Sequence, residues 1–244
     1  MSFFKDKRYL VIGGTGSIGS AIVERLANQQ AVISVGSRQA LQIEDDLATR
    51  FPAANVQAVQ IDLQKSYSES LAKALATGLS FDGVINSVGL CPPQGFAADI
   101  AQPLSTLDGA RFAEKMNTYV LGLFTSWQWF APHIKEGGSF TAITSAITRL
   151  TAETAPPFLN CWHYHAAKAA QDSLVQGCRH DALTRQKNLM VHRIAPAAIE
   201  TPFHNGTPAE MRPPKMLPIS VVVDEVENAL QNSDHVDVDI MPDI

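Results

Sequence analysis

Tyr164 and Lys168 lie four residues apart in Trp162-His163-Tyr164-His165-Ala166-Ala167-Lys168, so on a helix they share one face. A phenol with an unperturbed pKa of about 10 does not exchange protons readily near neutral pH. A neighbouring ammonium favours the phenolate, which predicts a lowered pKa for Tyr164 and makes it a usable acid or base. Such a pair also recurs by chance, so its meaning depends on the rest of the chain.

A second chemical site opens the sequence. Tyr9-Leu10-Val11-Ile12 reads as a short strand that runs into Gly13-Gly14-Thr15-Gly16-Ser17-Ile18-Gly19, after which Ile18, Ile22, Val23 and Leu26 mark one helix face. Glycines between strand and helix permit a tight turn and let backbone amides approach a pyrophosphate. The helix that follows aims its free N–H groups and partial positive charge at the same phosphates. A dinucleotide site is the expectation. Gly36-Ser37-Arg38 ends the second strand, and no carboxylate follows until Glu44. An NAD site usually offers an acid there for the ribose 2′-hydroxyl, whereas a guanidinium and a hydroxyl suit a 2′-phosphate. Ser37 and Arg38 therefore favour NADP over NAD.

These groups must be carried on alternating strands and helices. Further strands are expected at 31–35, 56–61 (ending at Asp62), 83–86, 139–144, 188–194 and 235–240. Helices are expected at 39–50, 66–77, 117–130, from Tyr164 to about Gln186, and at 221–230. Ala166, Ala167, Ala170, Leu174 and Cys178 mark the expected buried face of the Tyr164 helix. Repeated β–α units predict an α/β, doubly wound, Rossmann-like parallel sheet of about seven strands in a single domain spanning 1–244.

Composition agrees with that class. The chain has 244 residues, 45% of them hydrophobic, and a formal net charge of −5, with no basic cluster for nucleic acid or an anionic membrane. Cys91, Cys161 and Cys178 have no metal-ligand spacing and read as free thiols of a reducing, cytoplasmic compartment. No metal site is expected. Charges precede any apolar run at the N-terminus, so no secretory signal is visible, and the polar residues within Met116–Ile134 argue for a buried helix over a membrane span.

Taken together, the motifs resemble the short-chain dehydrogenase/reductase family from about Arg8 to Pro202. Gly13 to Gly19 resembles its cofactor loop, with Ser17 where the middle glycine usually stands. Asp62-Leu63 resembles the pair that meets the adenine, and Asn86-Ser87-Val88-Gly89 the Asn-Asn-Ala-Gly segment, with two replacements. Asn117 resembles the helix asparagine of the family. Pro196 to Pro202, including Ile199 and Thr201, resembles the segment beside the nicotinamide, with Ala197 for Gly.

The resemblance implies an NADP-dependent oxidoreductase, a ketoreductase type, acting on a small carbonyl or alcohol substrate. Tyr164 would trade the proton, Lys168 would hold the nicotinamide ribose, and Asn117 would hold a relaying water. The catalytic hydroxyl usually lies thirteen residues before the tyrosine, at Thr151. However, the fifth strand ends at Thr144-Ser145, so Ser145 is preferred and an insertion within Ala146 to Trp162 is inferred. His163 and His165 point to different faces of the helix and are expected to be structural or to line the pocket. Residues 203–218, with Phe158 and Trp162, are expected to form a lid over an apolar pocket suited to a neutral or partly hydrophobic compound. A homo-oligomer, dimer or tetramer, is expected, with the uncharged 117–130 helix a candidate interface. The alternatives are a non-redox epimerase or dehydratase of the same fold and a nucleotide-sensing binding protein.

Overall fold

The computed structural model describes residues 2–38, 40–51, 55–64, 79–89, 102–155, 161–207, 212–213 and 215–242. Seven strands form its sheet: β1 (Arg8–Ile12), β2 (Val32–Ser37), β3 (Val56–Gln60), β4 (Phe81–Asn86), β5 (Ile134–Ile143), β6 (Met190–Pro196) and β7 (Asp237–Ile240). All pairings are parallel and the order is β3-β2-β1-β4-β5-β6-β7, the doubly wound arrangement expected from the alternation. The chain order reverses beside β1, so the ends of β1 and β4 diverge into a crevice. Expected and observed bounds differ mainly at strand starts. β5 begins at Ile134 instead of Ser139, because Ile134 pairs with Phe81 before a register shift. The helix expected at 66–77 lies outside the described residues.

Each face of the sheet is covered. On one, Tyr9 and Val11 of β1 pack with Ile22, Val23 and Leu26 of α1 (Ser17–Asn28) and with Val222, Val223 and Val226 of α7 (Ile219–Leu230). On the other, Leu10 and Ile12 share a core with Leu123, Trp127 and Phe130 of α4 (Gly122–Phe130) and with Val175 and Cys178 of α5 (Trp162–His180). Successive β1 residues thus serve opposite cores, as the period of two requires. α2 (Ala40–Arg50) follows β2, and α3 (Gly109–Lys115) precedes α4.

Between α3 and α4 the helix widens to π geometry over Met116–Leu121, where a continuous helix from Asn117 to Phe130 was expected. The Gly122 N–H reaches back five residues to the Asn117 carbonyl, and Gln171 Nε2 of α5 donates to the Tyr119 carbonyl at 2.8 Å. The Tyr164 helix ends at His180, earlier than expected, because the Asp181 carboxylate caps a separate α6 (Ala182–Lys187) by accepting from the Leu183 N–H. The buried side of α5 is His163, Ala167, Lys168, Gln171, Val175 and Cys178, while Ala166 is exposed. The expected stripe holds at Ala167 and Cys178, with Leu174 partly buried against the core, while Ala166 faces outward and the other buried positions are His163, Lys168, Gln171 and Val175. Among the described residues no helix is long and apolar enough to cross a membrane.

Candidate active site

One large cavity, about 1080 Å³, runs along the carboxyl ends of the strands from Arg38 to Phe203. Its floor at one end is the turn after β1. Gly13 adopts φ +78, and a Cβ there would meet the Ser87 carbonyl oxygen at 2.8 Å. A Cβ on Gly19 would fall 2.2 Å from the Gly13 carbonyl oxygen, so glycine at both positions is what lets α1 pack against the turn. Gly16 caps α1 without a side-chain hydrogen bond, and Thr15, Gly16, Ser17 and Ile18 line the cavity. The amides of the first helical turn therefore border the cavity where an anionic diphosphate would fit.

Arg38 is exposed at the rim beside Ser37, and its carbonyl accepts from Gln60 Nε2 at 2.5 Å. Asp62 and Leu63 line the same end. Asn86 behaves differently. It is buried, donates from Nδ2 to Ser126 Oγ at 2.7 Å and accepts from the Val88 N–H at 3.2 Å, so it braces the strand end while Ser87, Val88 and Gly89 face the cavity. Gly19 likewise supports the wall without lining it. Asn117, Pro196, Ile199 and Thr201 do line it.

At the other end Ser145, Tyr164 and Lys168 converge. Ser145 follows β5; its Oγ caps the 3-10 turn Ala146–Arg149 by accepting from the Ile147 N–H at 3.3 Å, and it lies 3.4 Å from the Pro196 carbonyl. It also hydrogen-bonds the Tyr164 hydroxyl. Thr151 is exposed, bonded to Thr154 and away from the cavity. The two candidate hydroxyls are thus separated by geometry, and the additional residues fall after the turn.

The Tyr164 ring meets Tyr119 edge-on at 5.4 Å and Phe203 at 6.1 Å. Lys168 Nζ sits 4.5 Å from the Tyr119 ring centroid and 5.7 Å from that of Tyr164, over the rings in cation–π geometry. Burial dominates both side chains. It drives the Tyr164 phenol well above its usual range, with Tyr119 adding to the rise and the Ser145 hydrogen bond opposing it. Burial also lowers the Lys168 amine to about 7, against the pull of Asp172. The expected lowering of Tyr164 by its lysine is therefore corrected: desolvation raises the phenol, and burial weakens the charge of Lys168 itself.

No motif marks Tyr119, which lines the cavity from the π segment together with Asn117 and Thr118. Ile147, Leu150, Met241 and Pro242 add apolar wall that no motif marked. His163 is fully buried, and His165 Nε2 lies 3.1 Å from the Leu150 carbonyl. Neither lines the cavity. Of the expected lid, Phe203, His204, Pro213 and Lys215 face the cavity, whereas Met216 and Trp162 do not; Phe158, Pro208, Met211 and Pro214 lie outside the described residues, as does Cys91.

A crevice at the switch point of a parallel sheet, with a glycine turn at one end and paired hydroxyls at the other, defines a nucleotide-binding enzyme of the doubly wound class. The family model described as short chain dehydrogenase matches residues 7–212, and the chain belongs to that family. It is 25% identical over 222 residues to dehydrogenase/reductase SDR family member 11 of Mus musculus, covering 86% of this chain and 81% of the relative. The Bos taurus counterpart is 25% identical over 211 residues, covering 83% and 78%. Among solved structures, a short-chain dehydrogenase/reductase from Serratia marcescens superposes with a TM-score of 0.78 at 18% identity, over 97% of each chain. A Burkholderia cenocepacia short chain dehydrogenase in complex with NADP gives 0.77 at 20% identity, also over 97% of each. An alcohol dehydrogenase from Thermococcus sibiricus complexed with 5-hydroxy-NADP gives 0.71 at 19%, over 98% of this chain and all of that one.

Proposed function

We propose that this protein is an NADP-dependent oxidoreductase that interconverts a carbonyl compound and its alcohol, with Tyr164 as the acid/base. The observation that carries the reading is the hydrogen bond between the Ser145 and Tyr164 hydroxyls at the cavity, with Lys168 buried behind them. The nicotinamide cofactor, when bound, supplies the hydride. Gly13 to Ile18 would seat its diphosphate, and Ser37 and Arg38 its 2′-phosphate; the NADP complexes of the Burkholderia and Thermococcus structures favour the same nucleotide. Asp62 and Leu63 would flank the adenine, and Asn117, Ile199 and Thr201 the nicotinamide half.

The raised phenol pKa suits the reductive direction. Tyr164 stays protonated at neutral pH and would donate to the carbonyl oxygen, while Ser145 would hydrogen-bond that oxygen as negative charge grows. Ile147, Leu150, Phe203 and Met241 would exclude water around an apolar substrate body, and residues 203–218 would close over it as a lid. The chain would act as one domain in a reducing, cytoplasmic compartment. Exposed Phe112, Leu121 and Phe124 on the outward side of 109–130 favour association with a second copy. The test is NADPH consumption against a panel of ketones, aldehydes and quinones, with Tyr164→Phe as the control. Turnover by wild type that persists undiminished in the variant would remove Tyr164 from the mechanism.

A further inference from the structure

Arg193 stands in the middle of β6 with its side chain only 4% exposed. Such a guanidinium must be paired, and it is paired three times. Nε and Nη2 form a fork on Asp172 of α5 at 2.6 and 2.9 Å, and Nη1 reaches Asp237 and Asp239 of β7, each at 2.8 Å. Arg179 bonds Asp237 at 2.9 Å, and Arg149 bonds Asp239 at 2.5 Å. Three carboxylates thus meet three guanidiniums, and the cluster is balanced without Lys168. Asp172 holds Arg193 through a two-bond fork, whereas Asp237 and Asp239 are shared with Arg179 and Arg149.

The location of Asp172 gives it two other relationships. It follows Lys168 by one helical turn on α5, so its charge is a near neighbour of the buried amine. Its Oδ2 also lies 2.9 Å from Thr148 Oγ1, which is in turn 3.1 Å from the Ser145 carbonyl. The hydroxyl has one proton for these two acceptors; given to Asp172, it ties the 3-10 turn that Ser145 caps to the carboxylate. We propose that Asp172, clamped by Arg193, is a positioning residue for the reaction: through Thr148 it holds the turn that Ser145 caps, and from one helical turn away its carboxylate favours the ammonium form of Lys168. The inference rests on the reading of Ser145, Tyr164 and Lys168 given above.

The ionisable groups around the amine are few. Tyr164 and Asp172 share its helix, Tyr119 comes from the π segment, and Lys115 is buried at the end of the neighbouring α3. Around Asp172 stand Arg193, then Asp237 and Asp239, with Arg149 on the 3-10 turn. Of these, Asp172 is the carboxylate that raises the lysine against its burial.

The amine can be titrated directly by NMR of protein labelled at lysine Cε, with the Lys168 signal identified by its loss in Lys168→Met. This measurement needs no substrate, so it succeeds or fails independently of whether the protein turns over a carbonyl. In Asp172→Asn the Lys168 midpoint is expected to fall by about half a pH unit or more, since a charge roughly one helical turn away is removed. In Asp237→Asn, which trims the same cluster farther from the amine, it is expected to stay in place. An unmoved midpoint in Asp172→Asn, or an equal fall in both variants, would overturn the electrostatic role. Thr148→Val keeps every charge and is the second arm: the midpoint should hold while kcat falls about tenfold as Ser145 loses its brace. Unchanged kcat there would overturn the positioning of Ser145. Should Asp172→Asn fail to fold by circular dichroism, Thr148→Val decides the proposal.

Discussion

The hydroxyls of Ser145 and Tyr164 meet in a hydrogen bond across the cavity end, and that bond works against the burial that raises the phenol pKa. A hydroxyl that stabilises the phenolate side of the tyrosine is also placed to donate to a developing oxyanion. Ser145→Ala is therefore expected to cut turnover by about 10²-fold with NADPH affinity nearly unchanged. Thr151→Ala removes only an exposed turn contact with Thr154 and should cost little. Steady-state kinetics on both variants test this, and a severe loss confined to Thr151→Ala would reverse the assignment.

Cofactor preference follows from the end of β2. Arg38 is exposed at the rim and Ser37 lies beside it, with no acidic side chain to hold a ribose 2′-hydroxyl before Glu44. A charge-assisted contact is worth about 1.5–3 kcal/mol, so NADPH should bind about tenfold or more tightly than NADH. Arg38→Ala should erase most of that ratio in a fluorescence titration. An unaltered ratio would place the 2′-phosphate elsewhere.

Much of this frame was legible in the residues, for identifiable reasons. Buried parallel strands need continuous apolar runs, and Tyr9-Leu10-Val11-Ile12 is one, with alternate side chains feeding the two cores. The glycine turn was legible because Gly13 at φ +78 and the close packing at Gly19 tolerate no other residue. The buried side of α5 was legible only in part, at Ala167 and Cys178, because His163, Lys168 and Gln171 are polar and apolar spacing favoured Ala166. Gln171 is buried because it serves the Tyr119 carbonyl of the π segment, and no residue type announces an i→i+5 turn. The Arg193 cluster was equally hidden: its partners come from α5 and β7, and only the sheet order brings them together.

Lys168 sets a conflict between stability and function. Its folded pKa is depressed to about 7, below the value near 10.5 of an exposed lysine. The unfolded chain therefore binds more protons between those values, so stability rises with pH from about 7 to about 10.5, and the destabilisation is complete below about 7. Lys168→Met should raise stability at pH 7 by about 1 kcal/mol or more, because a desolvated amine is replaced by an apolar group of similar length. The same variant should bind NADPH more weakly. Thermal melts across that pH range test the sign, and a lowered melting temperature at pH 7 would mean that the amine is net stabilising.

Tyr164→Phe bears on the functional reading as a whole. The substitution keeps the ring between Tyr119 and Phe203 and removes only the hydroxyl that meets Ser145. Folding and NADPH binding should be nearly normal, while the reduction rate should fall by about 10²–10⁴-fold. The pH profile adds an independent check. Reduction needs the protonated phenol and is lost as pH rises through its pKa, which burial places well above the usual phenol range. Wild type should thus show no loss attributable to tyrosine below about pH 10, and any fall near pH 7 should track NADPH binding through Lys168 instead. A rate-limiting ionisation near 7 that survives in Lys168→Met, at saturating NADPH, would point to a proton donor other than Tyr164.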